Sequence, residues 1–295
     1  PPLPIVQSSP HGGLATPEEV RDRLQIGQID LYNDADLWAD MHYDFTAADL
    51  ADLIPVGYGP GTLAMTTMPI ARALIDPNRQ AHDLDNPDGP VKTQTSYQRP
   101  IYRPELDDAL KQHLLERYYQ QFHQQLADAL AAHSDEMALL LDCHSMAQHG
   151  PSGYHDPGAV RPLICLANLG DESGAIRADR DWVSCPPEIL QRSAAIAAEL
   201  FADLPLLEPE PGITPPLVRL NWPFSGGEIM RRYVTNGYCP PTGKPLPPAL
   251  MVEVNRGLFV GNQSATTAMK SPNEERISAV RRRLYQWACA TIELL

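Results

Sequence analysis

The sequence predicts an α/β protein in which helices cover both faces of a central sheet. Three short runs of residues, at 4–9, 137–142 and 249–254, have the length of strands, and the second is an apolar run bounded by turn-forming residues. Between them, at 104–131, apolar residues recur every four positions, which indicates a long amphipathic helix. Strands that alternate with helices are typical of this fold class. We expect a single domain over residues 1–295.

The remaining periodic segments predict further helices. Helical periods cover 187–203 and the last 22 residues, 274–295. A helix is also expected over 17–24, with Thr16 as its cap and Pro17 in its first position.

Composition excludes several classes of partner. The formal net charge of −14 opposes binding to nucleic acid and to an anionic membrane surface. The five cysteines, including Cys239, are scattered without a CxxC pair, which argues against a disulfide framework and a cysteine zinc site. No long apolar stretch or signal-peptide pattern is present, so we expect a cytoplasmic protein that is a monomer or a small homo-oligomer.

Three chemically capable side chains lie at the ends of the predicted strands. His11 follows the first run, His144 follows the second, and Glu253 lies near the end of the third. Ligands of α/β sheets bind beyond the carboxyl ends of the strands. Histidines and a carboxylate there are suited to a catalytic zinc, although either histidine alone is more typical of a structural residue.

Acidic residues near these positions are further candidates. Asp142 shares a side of its strand with His144 and could orient the imidazole or simply cap a turn. Glu253 in an apolar strand must be paired, bound to a metal or shifted in pKa. Asp36 and Asp40 are one helical turn apart, a spacing that by itself indicates a solvated acidic face.

Two further segments are candidates for substrate binding. Arg72, Asp76, Asn78 and Arg79 follow a candidate strand and could form an anion clamp, or surface ion pairs. The turn Phe224–Gly227, with Gly226 and Gly227, allows a ligand to approach the backbone, or is a plain tight turn. The loops at 82–100 and 203–223 are predicted to be active-site loops.

Six short motifs occur along the chain in a recognisable order. They are Ser9-Pro-His-Gly-Gly13, Asp36-Leu-Trp-Ala-Asp40 continuing to Phe45, Arg72 with Asp76-Pro-Asn-Arg79, Leu141-Asp-Cys-His-Ser-Met146, Phe224-Ser-Gly-Gly-Glu-Ile229 and Val252-Glu-Val-Asn-Arg256. Together they resemble the N-formylglutamate amidohydrolase family, and the match extends through the helix containing Arg117, Tyr118, Tyr119 and His123.

The resemblance implies a fold and a metal site. The family is similar to the zinc carboxypeptidases (a phosphorylase/hydrolase-like fold), with a mixed central sheet and one zinc above the strand ends. It implies His11, Asp36 and His144 as ligands of one Zn²⁺, for which Co²⁺ or Mn²⁺ can substitute. Asp36 departs from the carboxypeptidase spacing, so Glu18 and Glu19 stay open as alternatives.

The resemblance also implies residue roles. Zinc and Arg79 or Arg72 polarise the amide carbonyl, and Glu253 takes a proton from the attacking water and passes it to the leaving amine. Substrate binding is implied for Asn78, Arg79, Gly226, Gly227 and Arg256. Asp76 and Asp142 are expected to contact the ligands and not the metal.

The implied reaction is hydrolysis of N-formyl-L-glutamate to formate and L-glutamate, a step of histidine breakdown. Segment 165–170 and the loop 82–100 depart from the family pattern, so another small anionic N-acyl amino acid or a small peptide remains an alternative substrate. A protein that binds a small anion without turnover is a second alternative.

Overall fold

The computed structural model describes residues 1–235, 243 and 246–295, and its centre is a six-stranded sheet. The strands are β1 Leu3–Ser9, β2 Thr62–Thr67, β3 Leu139–Met146, β4 Ile164–Ala167, β5 Val218–Leu220 and β6 Ala249–Asn255. Their order is β2-β1-β3-β6-β4-β5. Every neighbouring pair is parallel except β6 with β4, which is antiparallel. The sheet is therefore mixed.

Seven α-helices surround the sheet within the described residues. They are α1 Gln28–Asp34, α2 Ala39–His42, α3 Asp108–Leu114, α4 Gln120–Ala132, α5 Pro187–Phe201, α6 Glu228–Met230 and α7 Glu274–Ile292. Shorter 3₁₀ segments are Glu18–Arg23, Ala48–Leu53 and Arg256–Leu258, and π-helical segments are Leu115–Tyr119 and Arg231–Thr235. No helix among the described residues is both long and apolar enough to cross a membrane.

Side chains of the central strands alternate between two apolar layers, as the pleat of a strand requires. On β3, Leu139, Leu141 and Cys143 join one cluster, which contains the buried faces of α5 and α7. Leu140 points to the opposite face and joins a second cluster with α3 and α4. Both faces are covered, so β3 is buried along its whole length. The predicted α/β class with helices on both faces is confirmed.

The structure follows the strongest periodicities of the sequence. The helix expected at 104–131 is a continuous helical segment from Asp108 to Ala132 that contains one π-helical turn. The helices expected at 187–203 and 274–295 are α5 and α7.

Other local expectations were wrong or incomplete. The segment 17–24 forms a short 3₁₀ helix with Pro17, not Thr16, in the cap position. Residues 72–74 form a turn instead of a strand, and Ile75 makes a single bridge to Val91. Four of the cysteines are free, and Cys239 lies outside the described residues.

Candidate active site

Three parallel neighbouring strands bring the candidate residues to one edge of the sheet. β1, β3 and β6 run in the same direction, so their carboxyl ends meet. His144 on β3 is the direct cross-strand partner of Glu253 on β6. His11 follows β1 by two residues. Cross-strand partners project from the same face of a sheet, so His144 and Glu253 are neighbours.

His11, Asp36 and His144 bring three potential metal-ligand atoms together. Their ligand atoms lie within 4.8 Å of one another, and all three residues are buried. The Nδ1 atoms of the two imidazoles are 3.1 Å apart. Oδ2 of Asp36 lies 3.1 Å from Nδ1 of His144 and 3.5 Å from Nδ1 of His11.

A carboxylate holds the outer nitrogen of each imidazole. Nε2 of His11 lies 2.7 Å from Oδ1 of Asp76, and Nε2 of His144 lies 3.1 Å from Oδ2 of Asp142. A carboxylate accepts hydrogen bonds only, so both Nε2 atoms carry a hydrogen, and in the neutral form of both rings the Nδ1 atoms present lone pairs to the centre. Such carboxylate contacts orient imidazoles that bind metals.

This donor set fits a divalent metal ion. Two lone pairs and one carboxylate oxygen face each other in a buried space and need a positive charge between them. Burial opposes the ionisation of Asp36, but its contacts with the two imidazoles outweigh burial and hold the pKa of Asp36 well below its usual value. Two histidines and one carboxylate also match the ligand number and type of catalytic zinc sites, which keep one position open.

Asp36 reaches this position because its segment is not helical. It lies between α1 and α2, and Trp38 beyond it adopts a left-handed conformation with φ of 56°. Asp36 is buried, whereas Asp40 on α2 is exposed. The interpretation of this pair as one solvated helical face was therefore wrong.

The alternative carboxylates lie elsewhere. Oε1 of Glu19 pairs with Nη1 of Arg117 at 2.6 Å, and Oε2 of Glu19 accepts from the hydroxyl of Tyr118. Glu18 is exposed. Only Asp36 among the three carboxylates joins the two histidines.

Glu253 is a buried carboxyl group with capacity for proton transfer. Burial raises its pKa to about 7, with the charge of Asp36 adding to the shift and that of His144 opposing it. Its Oε2 atom is buried and has no hydrogen-bond partner among the described residues. A carboxyl group with a pKa near neutrality can both accept and return a proton.

A polar cavity opens onto these residues. It encloses about 560 Å³, part of it open to solvent, and His11, His144 and Glu253 line it. Four arginines also line the cavity: Arg72, Arg79, Arg161 and Arg256.

The cavity arginines differ in their protein partners. Nη2 of Arg72 lies 3.3 Å from Oδ2 of Asp76, and its Nε is buried without a partner. Arg79 is held by Asp88, with an Nη2 to Oδ2 distance of 2.8 Å. Among the described residues, the Nε–H group of Arg72 therefore remains available to donate a hydrogen bond to a ligand.

Asn78 lines the cavity, and contacts within the protein hold its side chain. Its Oδ1 accepts from the amide of Ile229 at 2.9 Å, and its Nδ2 lies 3.4 Å from Oδ2 of Asp142. A Cβ atom on Gly227 would lie 2.2 Å from this Oδ1, so glycine is required there by the approach of Asn78. Gly226 has a φ of +121°, which favours glycine for a different reason.

The sequence was then compared with known proteins. Residues 3–260 match the profile of the N-formylglutamate amidohydrolase family. The chain belongs to this family. Family membership makes it a hydrolase of the amidohydrolase type.

Solved structures share the fold of this amidohydrolase. An N-formylglutamate amidohydrolase from Ralstonia eutropha is 18% identical over 99% of this chain and 94% of that chain, with a TM-score of 0.65. A gene product from Agrobacterium tumefaciens is 16% identical over 98% and 89% of the two chains, with a TM-score of 0.51. The comparison with curated proteins finds no match.

Sequence reasoning missed several cavity residues of the amidohydrolase. Those absent from the expected site include Asn33, Asp34, Ser96, Tyr97, Tyr154 and Arg161. Most lie in irregular segments, where hydrophobic periodicity gives no signal. The loop 82–100 contributes Ser96 and Tyr97 as expected, but segment 203–223 contributes no residue to this cavity.

Arg161 shows how such a residue is held. Its guanidinium group makes two hydrogen bonds to the carboxylate of Asp156, with distances of 2.7 and 2.9 Å. Its Cζ atom lies 5.4 Å from the ring centre of Tyr154 and 4.9 Å from that of Phe224.

Proposed function

We propose that this chain hydrolyses the amide bond of N-formyl-L-glutamate to formate and L-glutamate at a divalent metal centre. The observation that carries the proposal is the convergence of His11, Asp36 and His144, with Glu253 as the cross-strand neighbour of His144. Family membership supports the reaction type.

Zn²⁺ is the proposed ion, because imidazole and carboxylate ligands in this number suit it; Co²⁺ or Mn²⁺ can substitute. His11, Asp36 and His144 hold it. When bound there, the ion supplies positive charge that polarises the amide carbonyl and acidifies water. Asp76 and Asp142 fix the orientation of the two imidazoles through their Nε2 atoms.

Glu253 performs the proton transfers of the proposed mechanism. Its free Oε2 atom accepts a proton from the attacking water and then returns that proton to the nitrogen of the leaving amine. The raised pKa of Glu253 makes both steps accessible near neutral pH. Arg72 donates from its free Nε to negative charge that develops on the substrate.

The charge of the cavity supports an anionic substrate despite the net charge of the chain. Four guanidinium groups line a space that the metal ligands also face. Arg72, Arg79 and Arg256 are proposed to contact the substrate, and Gly226 and Gly227 line the cavity beside it. The backbone carbonyl oxygen of Arg79 accepts a hydrogen bond from the hydroxyl of Tyr119 at 2.8 Å, which holds the backbone of Arg79 in place.

The decisive experiment measures metal content and formate release on the same purified protein. N-formyl-L-glutamate is the substrate, N-acetyl-L-glutamate and N-formyl-L-leucine test the range, and Glu253→Gln is the matched variant. We expect one ion per chain, formate release by the wild-type protein, and metal binding without formate release by Glu253→Gln.

Other outcomes distinguish the alternatives. Formate release that Glu253→Gln retains would remove Glu253 from the mechanism. A bound ion with hydrolysis of only a different N-acyl amino acid would keep the site and replace the substrate. Ligand binding without turnover in any condition would support a binding protein.

A further inference from the structure

Arg256 is a buried cation that has no anionic partner among the residues that the structure describes. Arg72, Arg79 and Arg161 each pair with a carboxylate: Asp76, Asp88 and Asp156, respectively. Among the described residues, Arg256 has no such pair, although only 5% of its surface is exposed. A buried charge without a partner is costly, so an unpaired guanidinium group in a cavity indicates that an anion binds there.

The backbone holds Arg256 in place and leaves part of it free. Its Nη1 atom donates to the carbonyl oxygens of Ala35 and Asn33, the latter at 3.3 Å. Its Nε atom is buried without a hydrogen-bond partner. The side chain is thus oriented before any ligand arrives, which reduces the entropy lost on binding.

Tyr97 supplies a second free donor on the same cavity wall. Its hydroxyl is buried and has no partner among the described residues, and both Tyr97 and Arg256 line the cavity. Burial raises the pKa of Tyr97, with the charge of Arg256 opposing the shift, so the hydroxyl stays protonated at neutral pH. It can therefore donate to a carboxylate.

One acidic side chain opposes an anion at this wall. Asp34 also lines the cavity, and each of its two carboxylate oxygens lies 3.3 Å from the amide nitrogen of Ser96. Because Asp34 repels an anion, Arg256 alone is a weak site. The second donor from Tyr97 compensates for this repulsion.

We propose that Arg256 Nε and the Tyr97 hydroxyl together bind the side-chain carboxylate of the substrate and thereby select a dicarboxylic N-formyl amino acid. This inference rests on the proposed function and assigns the group that sets its specificity. Arg72 is connected through Asp76 to the metal ligand His11, which places it near the scissile amide and the adjacent α-carboxylate. The hydroxyl of Tyr97 has no contact with the metal ligands, as a site for the more distant carboxylate requires.

The test compares two ligands that differ in the side-chain carboxylate, N-formyl-L-glutamate and N-formyl-L-norvaline. Their affinities are measured by calorimetry on zinc-loaded protein in which Glu253→Gln prevents turnover, and formate release is recorded in parallel on protein that keeps Glu253. The variant is Tyr97→Phe. Tyr102→Phe is the matched control, because it removes a hydroxyl that is also buried without a partner but lies outside this cavity.

We expect Tyr97→Phe to weaken binding of N-formyl-L-glutamate by roughly tenfold or more, the usual effect of losing a hydrogen bond to a charged group. Binding of N-formyl-L-norvaline should stay within about twofold, and Tyr102→Phe should change neither affinity.

The subsite would be refuted if Tyr97→Phe weakened both ligands equally, if Tyr102→Phe had the same effect, or if the wild-type protein did not prefer N-formyl-L-glutamate. Absence of formate release with the preference intact would instead overturn the proposed hydrolysis and leave the subsite standing.

Discussion

Replacement of Asp76 by asparagine tests how the metal site is built. Asp76 is fully buried; it lies 2.7 Å from Nε2 of His11, 2.9 Å from the amide of Asn78, 3.3 Å from Arg72 and 3.7 Å from Lys92. The cations and His11 outweigh the effect of burial and hold its pKa well below the usual value. Asparagine keeps the shape of this side chain but removes the charge.

Two losses follow from the removed charge. Zn²⁺ affinity should fall about 10- to 100-fold, or about 1.4–2.7 kcal/mol, because His11 loses the carboxylate that orients it. The free energy of unfolding should fall by about 3 kcal/mol, since buried Arg72 and Lys92 lose an anionic partner. Competition with a chromogenic chelator measures the first quantity, and urea unfolding of the metal-free protein measures the second.

Asp156→Asn is the matched control for this variant. It also breaks a buried pair, with Arg161, but its carboxylate does not contact a proposed ligand. Stability should fall while Zn²⁺ affinity stays unchanged. If Asp76→Asn bound Zn²⁺ as tightly as the wild-type protein, the proposed role of Asp76 would be refuted.

Three further variants test other contacts. Burial lowers the pKa of His123 to about 3, so the fold requires the neutral imidazole. The stabilisation from the neutral form is present above pH 6.5 and is lost as pH falls, by about 2 kcal/mol between pH 7 and 5. Urea unfolding of His123→Gln at both pH values should show a smaller loss of unfolding free energy than that of the wild-type protein. Gly227→Ala places a Cβ atom against the side-chain amide of Asn78. This crowding should cost about 1–3 kcal/mol of unfolding free energy and most of the formate release. Unchanged kinetics would contradict it. Tyr119→Phe removes the hydroxyl that donates to the carbonyl oxygen of Arg79. It should cost about 1 kcal/mol of unfolding free energy and raise KM more than it lowers kcat. A fall in kcat with no change in KM would argue for a different role.

The sequence predicted the central elements because each carries a strong local signal. The strands β1, β3 and β6 are apolar runs buried on both faces, and α5 and α7 have clear helical periods. The edge strands β2 and β5 were not predicted, because they lack such a local signal. β2 is a threonine-rich segment that is mostly half-buried, and β5 has only three residues, so neither has a distinctive hydrophobic pattern.

The candidate site was predictable to different degrees. His11 and His144 could be proposed because they follow buried strands, and parallel strands present their carboxyl ends at one edge. Asp36 depended on the family resemblance, since its spacing to Asp40 suggested a solvent-exposed helical face. The structure places it in a turn between two helices, and only that turn brings its carboxylate to the imidazoles.

By itself, the sequence determined the α/β class, the family and the residue types available for metal binding, because periodicity and motif order are local properties of the chain. Which charges remain unpaired was decided only by the tertiary structure. Arg79 and Arg256 are equally good anion binders in sequence, yet Asp88 neutralises the first and no carboxylate of the described residues reaches the second. Pairing depends on distances between segments that are remote in sequence, and folding alone sets these distances.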